Sequence, residues 1–258
     1  MIKNLFSFKY WDGIILLVKV AIARRNANTI LGGLWGLIQP FLHIAVISFF
    51  MSFLLRFEPK TLVTNLVGAL PFWTFMAQGI GSASESLKHN AQVLKRVLLP
   101  KTYFPISDII GNCYTLLYSF SAMYVALILF FPELFSWNVL FIPFLSIPLI
   151  ISVMSSGILA AYLTPYVRDI PQFLNVIFGV LYWTVPIIYP YSMVTESKQI
   201  FYELHPIYIV LKPMQDLIRT GNLPELMIVA KSWLVCILVS LISYFFYRKL
   251  ARNIIYYL

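Results

Sequence analysis

The side chains with the most chemistry to offer in this chain are aromatic, not nucleophilic or acidic. Phe, Trp and Tyr make up 17% of the residues. Phe72, Trp73, Phe75, Tyr114, Tyr118, Tyr162, Tyr182, Trp183, Tyr189 and Tyr191 fall in or beside long apolar runs. Aromatic faces pack against the C–H faces of sugar rings and leave the hydroxyls to water. Such a lining lets a glycan slide without being held tightly. A third or fewer of these residues are expected to touch substrate, the rest serving as interface anchors or lipid-facing bulk. The reactive constellations are missing. There is no G-x-x-x-x-G-K-[ST] phosphate cradle, no H-E-x-x-H, no His/Cys cluster and no buried carboxylate pair. His43 is the one histidine deep within an apolar run, and it reads as a hydrogen-bonded packing residue. Asp108, Glu133 and Asp169 all sit at the ends of runs. An ion-coupled carrier needs acids near the bilayer midplane, so uphill transport by this chain would draw its energy from another chain.

The elements that carry these aromatics are set by where charge is absent. No Asp, Glu, Lys or Arg occurs in 26–55, 61–84, 109–132, 134–167 or 170–195. A sixth run, 232–247, reaches membrane length when Lys231 and the apolar residues before it are added. About 20 apolar residues at ~1.5 Å each cross a ~30 Å hydrocarbon core. The expected fold is an all-α integral membrane protein with six transmembrane helices. With 60% hydrophobic and 11% charged residues and a mean hydropathy of +0.82, an ordinary soluble domain is excluded. No basic soluble surface suits nucleic acid. Six spans leave room for one membrane domain over 1–258. The segment before the first span carries Asp12 and does not read as a cleaved signal peptide. Cys113 and Cys236 lie inside spans and read as packing residues rather than a disulfide.

Six spans put both termini on one side, which then holds thirteen Lys and Arg against six on the other. The basic excess assigns that side to the cytoplasm. Residues 1–25 form an amphipathic pattern. Lys9, Asp12 and Lys19 fall within about 80° of one another at 100° per residue, opposite Leu5, Phe8, Trp11, Ile15, Val18 and Ile22. That suits a helix in the cytoplasmic interface with Tyr10 and Trp11 at headgroup depth, a disordered terminus being the alternative. In 82–101, Ser82-Ala83-Ser84-Glu85 matches a capping box, and Leu87, Ala91, Leu94 and Leu98 form an apolar stripe among Lys88, Lys95 and Arg96, ended by Pro100. A short helix with an apolar edge below the membrane is a docking element for a soluble partner, or else a basic helix on anionic lipid. Arg168-Asp169 caps a tight turn after a long apolar run. Residues 195–224 are too apolar for a solvated loop, with Tyr202, Leu204, Tyr208, Leu211 and Met214, and read as short external re-entrant helices, interrupted at Pro213, between spans five and six. A simple interfacial loop is the competing reading.

The chain resembles the permease subunits of ABC type-2 exporters of cell-surface polysaccharide, O-antigen exporters in particular. Leu31-Gly32-Gly33-Leu34-Trp35 followed by Pro40 looks like the family's L-G-x-L-W…P at the first span. Gly68-Ala69-Leu70-Pro71-Phe72-Trp73-Thr74-Phe75 looks like its G-x-x-P-[FW]-W-x-F. Asn90, Leu94, Lys95 and Pro100 fit its cytoplasmic helix, Arg168-Asp169 its R-D turn, and Thr184-Val185-Pro186-Ile187-Ile188-Tyr189 its T-P-I-x-Y with one residue inserted. The family's Asn-Pro after the fifth span is His205-Pro206 here, and its Arg-Tyr-x-x-Ser is Arg25-Asn26-Ala27-Asn28-Thr29. The resemblance implies an inner-membrane homodimer above two copies of an ABC ATPase. ATP and magnesium would sit on that partner and no cofactor on this chain, with a lipid-linked glycan passing between the protomers. The apolar, basic edge of 82–101 and the Arg-Asp turn put ATPase coupling on Leu87, Asn90, Leu94, Lys95, Arg96, Leu98, Arg168 and Asp169. The aromatic spans, above all those in which Pro71 and Pro186 free backbone groups, put a channel lining on Trp35, Phe72, Trp73, Phe75, Tyr182, Trp183 and Tyr189. The same motifs occur in exporters of teichoic acid, capsule, lipid or drugs. A membrane-embedded enzyme or scaffold is the reading from another class, and the missing midplane acids and His clusters argue against it.

Overall fold

A computed structural model of the chain describes residues 8–26, 32–56, 58–96, 99–189, 191, 195–252 and 254. The described residues contain helices and turns and no strand. In chain order the α-helices are α1 Phe8–Asn26, α2 Trp35–Leu55, α3 Pro59–His89, α4 Ala91–Arg96, α5 Tyr103–Phe130, α6 Ile142–Leu145, α7 Ile147–Leu163, α8 Ile170–Thr184, α9 Glu196–Glu203, α10 Pro206–Thr220 and α11 Leu226–Leu250. Among the described residues, three stretches are long and apolar enough to cross a membrane: Tyr103–Phe130, Trp137–Leu163 and Leu226–Leu250. Gly13–Ala23, Ile38–Leu54 and Ile170–Thr184 are shorter apolar helices.

The 31-residue α3 is the axle of the molecule. From Leu62 to Met76 nearly every side chain is buried, and α5, α7, α10, α2 and α8 pack around it. A helix apolar on all sides is stable only when surrounded. Close approach comes from small residues, as expected where lipid supplies no hydrophobic drive between helices. A Cβ on Gly68 would stand 2.9 Å from the Cα of Gln215 in α10. One on Gly157 of α7 would stand 2.7 Å from Ile109 of α5 and 3.1 Å from Ala83 of α3. Hydroxyls tie neighbouring helices: Ser119 donates to the Gly36 carbonyl (3.0 Å), Ser232 to the Ile209 carbonyl (2.8 Å), and Ser155 pairs with Ser240 (3.0 Å).

Two boundaries differ from expectation. The capping box at 82–85 starts no helix, because α3 runs through it to His89. Ser84 and Ser82 donate back to the carbonyls of Gly81 (2.6 Å) and Gly79 (3.3 Å), which keeps them within the helix. The helix ends where the Asn90 side-chain amide donates to the Ser86 carbonyl at 2.8 Å, and α4 follows as a separate piece. Likewise Pro213 does not interrupt α10, which is continuous to a left-handed Gly221 (φ 70°). The freed carbonyl before a proline is tolerable on a helix this firmly packed.

Candidate functional site

One end of the bundle gathers the end of α3, α4, the start of α5, the α7–α8 turn and the end of α11. Leu87 is fully buried there with Phe104, Ala161, Tyr162 and Ile254, and Leu94 packs on the edge of this cluster. The Tyr166 hydroxyl donates to the Leu250 carbonyl at 2.8 Å, and the Tyr162 and Tyr247 rings meet edge-on at 4.8 Å. Leu87 is thus a core residue of this cluster, although the sequence groups it with a docking edge. Lys95, Arg96, Arg168 and Asp169 are exposed on this end, Asn90 is the helix cap, and Leu98 lies outside the described residues. The expected coupling residues therefore divide into a buried foundation (Leu87, with Leu94 at its margin) and a charged rim. Arg248 and Lys249 add to the rim, lying over the rings of Tyr244 (5.8 Å) and Phe245 (4.6 Å). The side chains of Tyr10 and Trp11 are outside the described set. α1 lies along α5, with Ile14 buried and Ala21 and Ile22 facing Gly111.

The aromatic residues assigned to a lining also divide. Phe72, Trp73 and Phe75 are in the core, with relative exposures of 1%, 6% and 3%. Phe72 tilts against Phe120 at 5.5 Å. Trp73 meets Phe178 edge-on at 6.1 Å and Tyr182 at 5.8 Å. Tyr182 in turn stacks on His43 at 6.1 Å and meets Trp183 edge-on at 5.7 Å. An aromatic ladder thus leads from the buried axle to an open face. Trp183 at that end is 64% exposed, and Phe173, Val176 and Val180 elsewhere on α8 are also largely exposed; on α2 Trp35 is 47% exposed, with Phe49 and Phe53 exposed as well. His43 contributes a ring contact here and sits on the exposed side of α2.

At the opposite end α10 is built into the bundle rather than lying over it. Ser232, six residues into α11, bonds Ile209, so α10 starts about 9 Å inside that helix end. It ends at Gly221, whose carbonyl accepts from Ser136 (2.6 Å) and Asn138 (2.8 Å). α8 is 15 residues long and stops before Pro186. The carbonyl freed there accepts from the buried Gln215 amide at 2.8 Å. A tyrosine clasp closes the same corner. Tyr191 stacks on Tyr208 at 5.5 Å, Tyr202 meets Tyr208 edge-on, and Lys212 stands over both Tyr191 and Tyr208 at 5.4 and 5.7 Å. Tyr189 joins it through the Tyr202 hydroxyl at 3.1 Å, so it belongs to the clasp and not to the open face. Nearby, Lys60 pairs with Glu133 at 3.0 Å. The Glu133 carboxyl is held below its usual range by a backbone hydrogen bond and then by Lys60, so this contribution fades as pH falls through the carboxylate range.

A cleft of about 500 Å³ is walled by α1, α3, α5 and α8. Gln78, Ser82, Glu85, Asp108, Asn112 and Asn175 supply its polar groups. The sequence puts Asp108 at a span end and Ser82 and Glu85 in a capping box, and gives no reading of Gln78, Asn112 or Asn175. A signal is nonetheless present: amides and acids at helical spacing within otherwise apolar runs, 78-82-85 on one helix and 108-112 on another. No group of three or more His, Cys, Asp or Glu suited to a metal exists among the described residues.

No family model matches the chain. Curated proteins do match along most of it. An O-antigen export system permease protein RfbA of Klebsiella pneumoniae is 24% identical over 226 residues, 86% of each chain. A second of that name from the same organism is 20% identical over 226 residues, again 86% of each, and one from Myxococcus xanthus is 23% identical over 222 residues, 84% of each. Over most of its length the chain is thus similar to O-antigen export permeases. The apolar helices make the chain a multi-pass membrane protein.

Proposed function

We propose that this permease is the membrane subunit of an ATP-driven exporter that carries a lipid-linked surface polysaccharide of the O-antigen type outward across the bacterial inner membrane. The observation that carries this reading is the match to O-antigen export permeases across about 86% of both chains. The six crossings would be α2, α3, α5, the stretch Trp137–Leu163, α8 continued through 185–189, and α11. The 15 residues of α8 alone reach only about 22 Å. The basic end would face the cytoplasm. Two copies would meet through the open apolar face of α2 and α8, and a glycan would pass along Trp35 and Trp183, with Trp73 and Tyr182 backing that wall. The charged rim of Lys95, Arg96, Arg168 and Asp169 would seat the ATPase, which holds ATP and magnesium. α10 and the tyrosine clasp would close the outer end. Inverted membrane vesicles containing permease and ATPase test this: ATP should drive a radiolabelled lipid-linked glycan to a protected site. ATP hydrolysis with no glycan movement would reject the export role.

A further inference from the structure

Helix α11 has one side fixed to the bundle and the other side open. It packs on α7 and α10. Ser243 is buried, the Tyr247 ring meets Tyr162 edge-on at 4.8 Å, and the Leu250 carbonyl accepts from the Tyr166 hydroxyl at 2.8 Å, so these three mark the inward side. With Ser243 as the origin and ~100° per residue, Tyr247 falls at about 40° and Leu250 at about −20°. Phe245, Arg248 and Lys249 fall at about 200°, 140° and 240°. The two cations therefore straddle the side opposite the bundle. For most of its length that side is an apolar stripe. Leu234, Leu238, Leu241 and Phe245 are each at least half exposed, and no charged residue interrupts 232–247.

The cations that end this stripe do not reach away from it. The Arg248 guanidinium lies over the Tyr244 ring at 5.8 Å and the Lys249 ammonium over the Phe245 ring at 4.6 Å, each one turn back along the helix. A helical side chain leans toward the N-terminus of its own helix, which here is toward the apolar stripe. Both charges thus sit where the apolar surface ends, the depth that tyrosine rings and lipid headgroups share in a bilayer. Exposed Arg252 follows one turn beyond Arg248. Among the described residues the ion pairs are Lys60–Glu133 and Arg219–Asp216, and neither involves these three cations. Glu225 lies at the far end of α11, about 35 Å along the axis. Asp12 is carried by α1, which packs on α5, and Asp169 stands beside its own Arg168.

An anionic phospholipid matches both halves of this surface. Its acyl chains cover the stripe, and its phosphate accepts charge-assisted hydrogen bonds from the guanidinium and the ammonium. A soluble acidic protein would meet the cations and leave the stripe bare. We infer that the end of α11 binds the headgroup of an anionic phospholipid through Arg248 and Lys249, with Arg252 beside them, in the leaflet at the basic end of the bundle. The site is separate from the ATPase seat of Lys95, Arg96, Arg168 and Asp169, and it does not depend on what is exported.

The test titrates the purified permease, in a neutral detergent, with phosphatidylglycerol or phosphatidylcholine, and native mass spectrometry counts the lipids bound. Wild type should prefer phosphatidylglycerol. A cation beside an anionic membrane surface is worth about fivefold, so Lys249→Gln should cut the preference about fivefold and Arg248→Gln/Lys249→Gln about 25-fold. Both side chains are exposed, and the single variant serves if the double one does not fold. Phe245→Ala keeps both charges but releases Lys249 from its ring, and should cut the preference about two- to fivefold. Arg56→Gln/Lys231→Gln removes the same charge from the opposite end and should leave the preference unchanged. A wild type without preference, a preference unchanged in Lys249→Gln and the double variant, or an equal loss in Arg56→Gln/Lys231→Gln would overturn the site. So would a double variant that keeps its lipid preference but loses co-purification with the ATPase, which would give this face to the partner protein.

Discussion

Replacing Gly68 by Ala adds one carbon at the tightest joint between the axle and α10. That carbon would stand 2.9 Å from the Gln215 Cα and 3.5 Å from its backbone nitrogen, where ordinary contact is 3.4–4 Å. The obstacle is backbone, so no rotamer change relieves it, and α10 must withdraw by roughly 0.5–1 Å. Overpacking of this kind costs about 1–3 kcal/mol. The withdrawal also stretches the 2.8 Å bond from Gln215 to the Pro186 carbonyl, and interhelical bonds in membranes average ~0.6 kcal/mol. The sum, about 1.5–3.5 kcal/mol, should lower the thermal midpoint of the purified permease by several degrees, at about 2–4 °C per kcal/mol for a chain of this size. Gln215→Ala should not rescue it, because the Cα remains. Gly79→Ala is the control: its added carbon meets the Val153 Cγ1 at 2.9 Å, a side-chain atom, so Val153→Ala should restore stability. Tryptophan fluorescence during heating reads all five proteins. A Gly68→Ala midpoint equal to wild type, or one restored by Gln215→Ala, would refute the docking of α10 on α3.

Four further outcomes are expected. Trp183→Ala, at an exposed position, should express normally and slow export about two- to twelve-fold; Trp73→Ala opens a core cavity worth about 3–5 kcal/mol and should lower the amount of folded protein instead, both read by membrane level and surface glycan. Lys95→Glu/Arg96→Glu should insert normally yet lose co-purification with the ATPase, whereas Leu87→Asp places a charge in a fully buried cluster and should yield no folded permease. A cysteine at Lys60 should react with an impermeant thiol reagent added outside, and cysteines at Arg96 and Arg252 should not. Gln215→Leu should loosen the outer corner, seen as faster labelling of a cysteine at Tyr191.

The charge-free runs made the long elements legible, since membrane length and the absence of Lys, Glu, Asp and Arg are properties of single segments. α5 and the stretch ending in α7 follow from that, and α11 follows once its charge-free run is extended past Lys231. Residue motifs carry the similarity to the export permeases. What could not be read is which face of a helix meets which neighbour. Ser82–Glu85 satisfied the capping pattern, but Gly79, Ala83 and Gly157 let α3 continue against α7 and α5, and packing overrode the local signal. Leu87 lay on an apolar stripe whose partner was another part of the same chain. α10 was recognised as too apolar for a loop, yet its depth depends on Gly68 and Pro186, far away in sequence. The cleft was least legible because no single helix contains it: Glu85, Asp108 and Asn175 come together only through the bundle.

The central claim is that this permease exports a lipid-linked glycan, and depletion of the permease in its host tests it most directly. Surface polysaccharide and inner-leaflet lipid-linked glycan are quantified together as the protein is withdrawn. Export predicts that the surface glycan disappears while the lipid-linked form accumulates, and that re-expression reverses both. Surface polysaccharide that persists at wild-type level without the permease would contradict the account.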